Sequence, residues 1–343
     1  MVKIHSLLTT VVSVFCVEGF RGALADLHSQ KPGHGHEHGH GSHAIPGYRL
    51  TDSIVGRDFF RAFDWEAIGD PTRGRVLYVN ETESRSRNLT YAHGDSFVLR
   101  GDSETILTPD GPGRPSARIV SKKSYTTHVV VVDLRHMPQG CGTWPAIWQV
   151  GKEDWPNRGE VDILEGVNDQ GPNASTLHTS TNCTMPAVRN QTGTSGQLDC
   201  DVAVNWNTGC GVKFSKPNSY GPDFNKNGGG WLAVERNNQF IKTWFWPRDS
   251  QDVPRDVRRF GPRVNPDNWG IPEAFFPNTE CDLESHFKEH HIVINLTFCG
   301  DWAGQADVYR SSGCPSTCVD YVNNNPEAFK DAYFNFKSLR VYQ

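Results

Sequence analysis

From Tyr48 to the C-terminus the chain consists of short runs of β-favouring residues. They are THVVVVDLRHM (127–137), AIWQVG (146–151), EVDILEG (160–166), STLHTS (175–180), WLAVERNNQFIKTWFW (231–246), HHIVINLTF (290–298) and SLRVYQ (338–343). Proline, glycine and asparagine clusters separate them, which is the signature of strands joined by turns. Asn237-Asn238 lies between two apolar–polar alternations and predicts a hairpin. No βαβ rhythm, internal repeat or heptad breaks the pattern. These features predict an all-β protein, a two-sheet sandwich forming one domain of about 295 residues, with a short helix near NPEAFKDAY.

The first 46 residues have a different texture. Lys3, an apolar run from Ile4 to Val17, and Ala23-Leu24-Ala25 as a small-x-small site read as a signal peptide over 1–25. The run is short and Glu18 and Arg21 follow it, so a membrane anchor fits less well. Residues 26–46 are rich in histidine and glycine (HGHEHGHGSH). Chelation of a metal by alternate imidazoles is chemically feasible, but low apolar content favours a flexible solvated segment. The folded domain is expected over 47–343, secreted and outside any membrane.

Cysteine usage agrees with secretion. With Cys16 assigned to the signal, eight remain (Cys141, Cys183, Cys200, Cys210, Cys281, Cys299, Cys314 and Cys318), an even set suited to four disulfides. No C-x-x-C pair supports zinc. Six N-x-S/T sequons, at Asn80, Asn88, Asn173, Asn182, Asn190 and Asn295, suit a secretory route, although Asn295 sits in an apolar run that burial would protect. A net charge of −5 gives no basic face for nucleic acid. There is no G-x-S-x-G elbow and no P-loop. DFNKNG (223–228) imitates a calcium loop, but its twelfth position is Val234 rather than a bidentate glutamate, so a surface turn is expected.

The chemistry concentrates in GEVDILEG (159–166), where Glu160, Asp162 and Glu165 crowd an otherwise small or apolar segment. Period-2 alternation puts Glu160 and Asp162 on one face and Glu165 on the other. Val161, Ile163 and Leu164 make the segment half-buried, where crowded carboxylates raise one another's pKa and serve no structural end. One bulged residue at Ile163 or Leu164 returns Glu165 to the face of the other two. Such a face meets the needs of glycoside hydrolysis, with one carboxylate as nucleophile and one carboxylic acid as proton donor, and Asp162 between them to keep their protonation states apart. Trp144, Trp148 and Trp155 precede the acids and Trp302 lies in CGDWAG; indoles stack on sugar C–H faces, though at least one of the four is expected to fill the core. His178, in STLHTS, means little alone.

These segments together resemble glycoside hydrolase family 16, in particular its fungal secreted endo-1,3(4)-β-glucanases, the laminarinase-like group. The resemblance runs through GCGTWPAIW, WPNRGEVDILEGVNDQ, LHTS, SYGPDFNKNGGG, TFCGDWAG and CPSTCVDYVNNNPEAF, and so covers nearly all of 48–343. It implies a β-jelly-roll sandwich with the cleft on a concave sheet, Glu160 as nucleophile, Asp162 as assisting acid and Glu165 as general acid/base. It further implies that Trp148, Trp155, His178 and Trp302 line the sugar subsites. The expectation is a retaining endo-β-glucanase acting on β-1,3 or mixed β-1,3/1,4 glucans, with a β-glucan as its partner, no cofactor, no catalytic metal, and a monomeric state. A non-catalytic glucan-binding sandwich and a glucan transglycosylase are the alternatives.

Overall fold

The computed structural model describes residues 47–343, so the expected signal peptide, Cys16 and the histidine-rich segment lie outside the described residues. Two large antiparallel sheets face each other, beside a small parallel pair, β3 (Val76–Tyr78) and β6 (Arg114–Ser116). The first contains β1 (Tyr48–Ile54), β4 (Thr90–His93), β5 (Ser96–Arg100), β8 (His128–His136), β14 (Gly230–Arg236), β15 (Phe240–Pro247), β16 (Arg263–Val264), β17 (Ala274–Pro277) and β19 (Tyr333–Tyr342). The second contains β2 (Phe63–Trp65), β7 (Arg118–Tyr125), β9 (Thr143–Val150), β10 (Glu160–Glu165), β11 (Ala174–His178), β12 (Thr194–Ser195), β13 (Val212–Lys213) and β18 (His290–Phe298). Across this second sheet the order is β12-β13-β11-β10-β9-β18-β7-β2, which sets the acids of β10 near its middle. The expected hairpin forms between β14 and β15, with Arg236 paired to Ile241.

The inner face of the second sheet supplies half of the core between the sheets. Ile147, Val161, Ile292, Ile294 and Leu296 enter the core against Val130, Val132, Leu232, Val234, Phe336 and Val341 of the first sheet. The first sheet is covered on its other face too. Val129, Val131, Trp231, Trp244 and Trp246 pack there with Val253, Val257 and Trp269, so β8 reads as an unbroken valine run because both its faces are dry.

That outer layer holds the core-filling tryptophans. None of Trp144, Trp148, Trp155 and Trp302 is buried, contrary to expectation. The sugar-type aromatics are on the open face of the second sheet, where the core has no claim on them. NPEAFKDAY forms only a four-residue 3-10 turn, Pro326–Phe329, preceded by a seven-residue helix, Cys318–Asn324, that periodicity did not reveal. DFNKNG lies at the end of a six-residue helix, Gly221–Lys226, whose Asn225 side chain bonds both N and O of Met137. It is a structural tie rather than a surface turn.

All eight described cysteines pair, as Cys141–Cys314, Cys183–Cys281, Cys200–Cys210 and Cys299–Cys318. Cys299–Cys318 closes the segment that carries Trp302, Cys141–Cys314 ties that segment to the entrance of β9, and Cys200–Cys210 closes the loop between β12 and β13.

Candidate active site

The ladder around β10 contains the expected bulge. Against β9, Asp162 pairs with Trp148 but Leu164 with Ile147, leaving Ile163 as the extra residue; against β11, Asp162 pairs with Thr176 and Glu165 with Ala174. Val161, Ile163 and Leu164 are buried in the core, while Glu160, Asp162 and Glu165 share the opposite face. Glycines bound the segment for steric reasons. Gly159 has φ +77°, and a Cβ on Gly166 would come within 2.6 Å of the Tyr220 ring.

A bulge strands backbone groups, and side chains of β11 and the residue preceding it take them up. Asn173 Nδ2 donates to the Ile163 carbonyl (2.8 Å), its Oδ1 accepts from the Glu165 N–H (3.0 Å), and Ser175 Oγ donates to the Asp162 carbonyl (2.7 Å). Asn173 is fully buried, which removes its sequon from any folded-state chemistry, and Asn295 is likewise buried as expected. Asn173 went unrecognised as a site residue because its sequon was the only local signal.

Each acid has its own partner. Trp155 Nε1 donates to Glu160 Oε2 (2.8 Å), and Trp144 Nε1 donates to Glu165 Oε1 (2.9 Å). His178 pairs with Glu160 in register and brings Nε2 to 3.4 Å from Asp162 Oδ2, while its Nδ1 bonds Asn207 Oδ1 (2.8 Å). Trp148 stands opposite Asp162; its Nε1 donates to Asn295 Oδ1 (2.7 Å), and the Arg118 guanidinium lies 5.0 Å from the ring centre. Trp302 meets Trp144 edge-to-face at 5.6 Å. All seven sequence-predicted residues therefore converge. Trp144, read from the sequence only as one of the sugar-stacking aromatics, lies four residues before Trp148, an even spacing that puts both on one strand face, yet only the fold shows it holding an acid.

Burial raises both glutamates, with the Asp162 charge adding to it: Glu160 to about 7 and Glu165 to about 8. His178, the Trp155 N–H and Arg118 pull Glu160 back down; Glu165 has the Trp144 N–H and His178 pulling against a further push from Glu160. Burial alone would lower His178, but its contact with Asp162 and the charges of all three acids override this and lift it to about 10. The cluster thus carries an imidazolium among carboxylates, and both glutamates hold their protons to higher pH than an ordinary carboxyl.

One donor atom each from Glu160, Asp162 and His178 lies within 4.8 Å of the others, a spacing that a metal could use. The chemistry of the set opposes it. With Nδ1 donating to Asn207 and Nε2 directed at Asp162, the His178 ring has no lone pair to offer.

The family model for the XgeA-like, catalytic GH16 domain matches residues 63–342. A "Probable glycosidase" of Schizosaccharomyces pombe is 42% identical over 307 residues, spanning 89% of this chain and 71% of the relative. A "Probable endo-1,3(4)-beta-glucanase" of Aspergillus clavatus is 42% identical over 306 residues, 86% of this chain but only 46% of its own length. Among solved structures, Laminarinase 16A from Phanerochaete chrysosporium, with 6-O-glucosyl-laminaritriose in donor and acceptor sites, superposes with a TM-score of 0.86 at 59% identity, covering 87% of this chain and 100% of that one. Matched over most of its length to a catalytic domain and folded as that domain folds, the chain belongs to glycoside hydrolase family 16.

Proposed function

We propose that the protein is a secreted retaining endo-β-glucanase that hydrolyses internal β-1,3 and mixed β-1,3/1,4 linkages. The observation that carries the proposal is the bulge at Ile163, which gathers Glu160, Asp162 and Glu165 on one face, where burial and the Asp162 charge raise both glutamates. The Glu160 carboxylate attacks the anomeric carbon as the glycosidic C–O bond breaks, and Glu165 passes its proton to the departing oxygen. Water then adds to the glycosyl-enzyme while Glu165 takes its proton, freeing Glu160. Asp162, paired with His178, adds negative charge beside both glutamates and so helps Glu165 keep its proton for the leaving oxygen. Trp148, Trp155, His178 and Trp302 contact the sugars. No step calls for a cofactor.

The glucan substrate is supported by the laminarinase superposition and by relatives named as 1,3(4)-β-glucanases. Four disulfides support an oxidising destination. Glu160→Gln and Glu165→Gln should each abolish cleavage of laminarin in a protein that still folds. Wild-type-like turnover in either variant would remove the mechanism. Side-by-side digestion of laminarin, lichenan and cellulose tests the linkage, and cleavage of cellulose alone would reject it. Products longer than the starting oligosaccharide would indicate transglycosylation through the same intermediate.

A further inference from the structure

Trp206 is 99% exposed, the most solvent-facing large apolar side chain among the described residues. It stands in Asn205-Trp206-Asn207, three consecutive residues with φ of +52°, +58° and +57°. Asparagine tolerates this backbone region and an indole-bearing residue does so poorly, so a costly conformation presents an apolar ring to water.

The loop that carries it is not loose. Cys200–Cys210 closes its ends, Thr179 N–H donates to the Cys200 carbonyl (2.8 Å), and Cys210 N–H donates to the Leu177 carbonyl (3.1 Å). Gly209 presses so close to β11 that a Cβ there would come to 2.6, 2.7 and 2.8 Å from Leu177 O, Thr176 Cγ2 and His178 Cε1. Asn207, next to Trp206, bonds His178, which itself contacts Asp162. Trp206 is therefore tied through one side chain to the catalytic cluster.

Its side of the sheet matters. Trp144 and Trp148 lie on β9 and Trp302 follows β18, all on one flank of β10. β11 and the 200–210 loop lie on the other flank, where Trp206 is the exposed tryptophan among the described residues. An enzyme that cuts within a polymer holds sugar on both sides of the scissile bond. A fixed, bare indole is suited to the C–H face of a pyranose ring.

We propose that Trp206 is a stacking platform for the glucan chain on the flank of the acids opposite Trp148 and Trp302. This rests on the endo-glucanase function proposed above. The assay measures kcat/KM over a series of laminari-oligosaccharides of increasing length, for wild type and for Trp206→Ala and Trp206→Phe. In wild type kcat/KM rises with length; in Trp206→Ala the ratio of the longest to the shortest cleaved substrate falls about three- to tenfold, as expected for loss of one ring contact, chiefly through KM. Trp206→Phe retains part of that ratio because it keeps a flat apolar ring. Thermal melting monitors folding, and a side chain with almost no packing should leave it unchanged. An unchanged length ratio in Trp206→Ala, with an active wild type, overturns the platform alone. A wild type that cleaves no glucan overturns the underlying function instead.

Discussion

Replacing Asn173 by alanine removes both bonds that its amide makes to the bulge, to the Ile163 carbonyl and from the Glu165 N–H. Both backbone groups belong to a strand sealed on its core face, and each unpaired buried group costs roughly 1–3 kcal/mol. With partial relaxation the total is about 2–4 kcal/mol, a drop of roughly 3–6 °C in Tm for a domain of this size. The catalytic effect is separate. Glu165 is set by the backbone that Asn173 holds, and a misplacement of about 1 Å at a catalytic group can lower turnover roughly 100-fold. Asn173→Asp divides the two functions: one carboxylate oxygen still accepts from the Glu165 N–H, while the other faces the Ile163 carbonyl and adds negative charge beside Glu165. That charge pushes Glu165 further up, so the alkaline limb of the pH–kcat profile moves to higher pH in Asn173→Asp. Urea unfolding, laminarin kinetics and pH profiles on wild type and both variants test this. Asn173→Ala with wild-type stability and kcat would show that the bulge needs no clip. Glycan found on the Asn173 peptide of folded protein would refute the burial on which the reasoning stands.

Other consequences follow from the same geometry. With Glu160 raised to about 7 and Glu165 to about 8, the pH–activity profile should be a narrow bell with both limbs above the ordinary carboxylate range. Trp155→Phe takes an N–H from the Glu160 carboxylate and should move the acid limb upward; an acid limb that does not move means this bond does not set the nucleophile's ionisation. Glutamates whose pKa values rise on folding contribute stability that is complete below the unfolded value and lost as pH climbs through the folded one. Glu165→Gln should therefore melt above wild type at pH 8–9, with the gap closing toward pH 4.5, as followed by calorimetry. An equal Tm at all pH values would show that Glu165 is not desolvated.

The sequence by itself determined the fold class and singled out the candidate reacting residues, because both are written in local patterns. Short β-favouring runs punctuated by turns specify strands, and an uneven E-x-D-x-x-E in a half-buried segment makes chemical sense only if a bulge aligns the acids. Which strands become neighbours is decided by contacts between residues distant along the chain, and so by the tertiary structure alone. Asn173, Ser175 and Asn207 are ordinary loop and strand residues until the β10–β11 pairing sets two of them against the bulge and the Cys200–Cys210 loop sets the third against His178. Tryptophan roles divided for the same reason. Ten indoles look alike in sequence, but sheet pairing puts Trp231, Trp244, Trp246 and Trp269 into an outer core and leaves Trp144, Trp148, Trp155 and Trp302 around the acids. The raised pKa values of the two glutamates likewise depend on partners from separate strands and loops, because electrostatic coupling acts across space and not along the backbone.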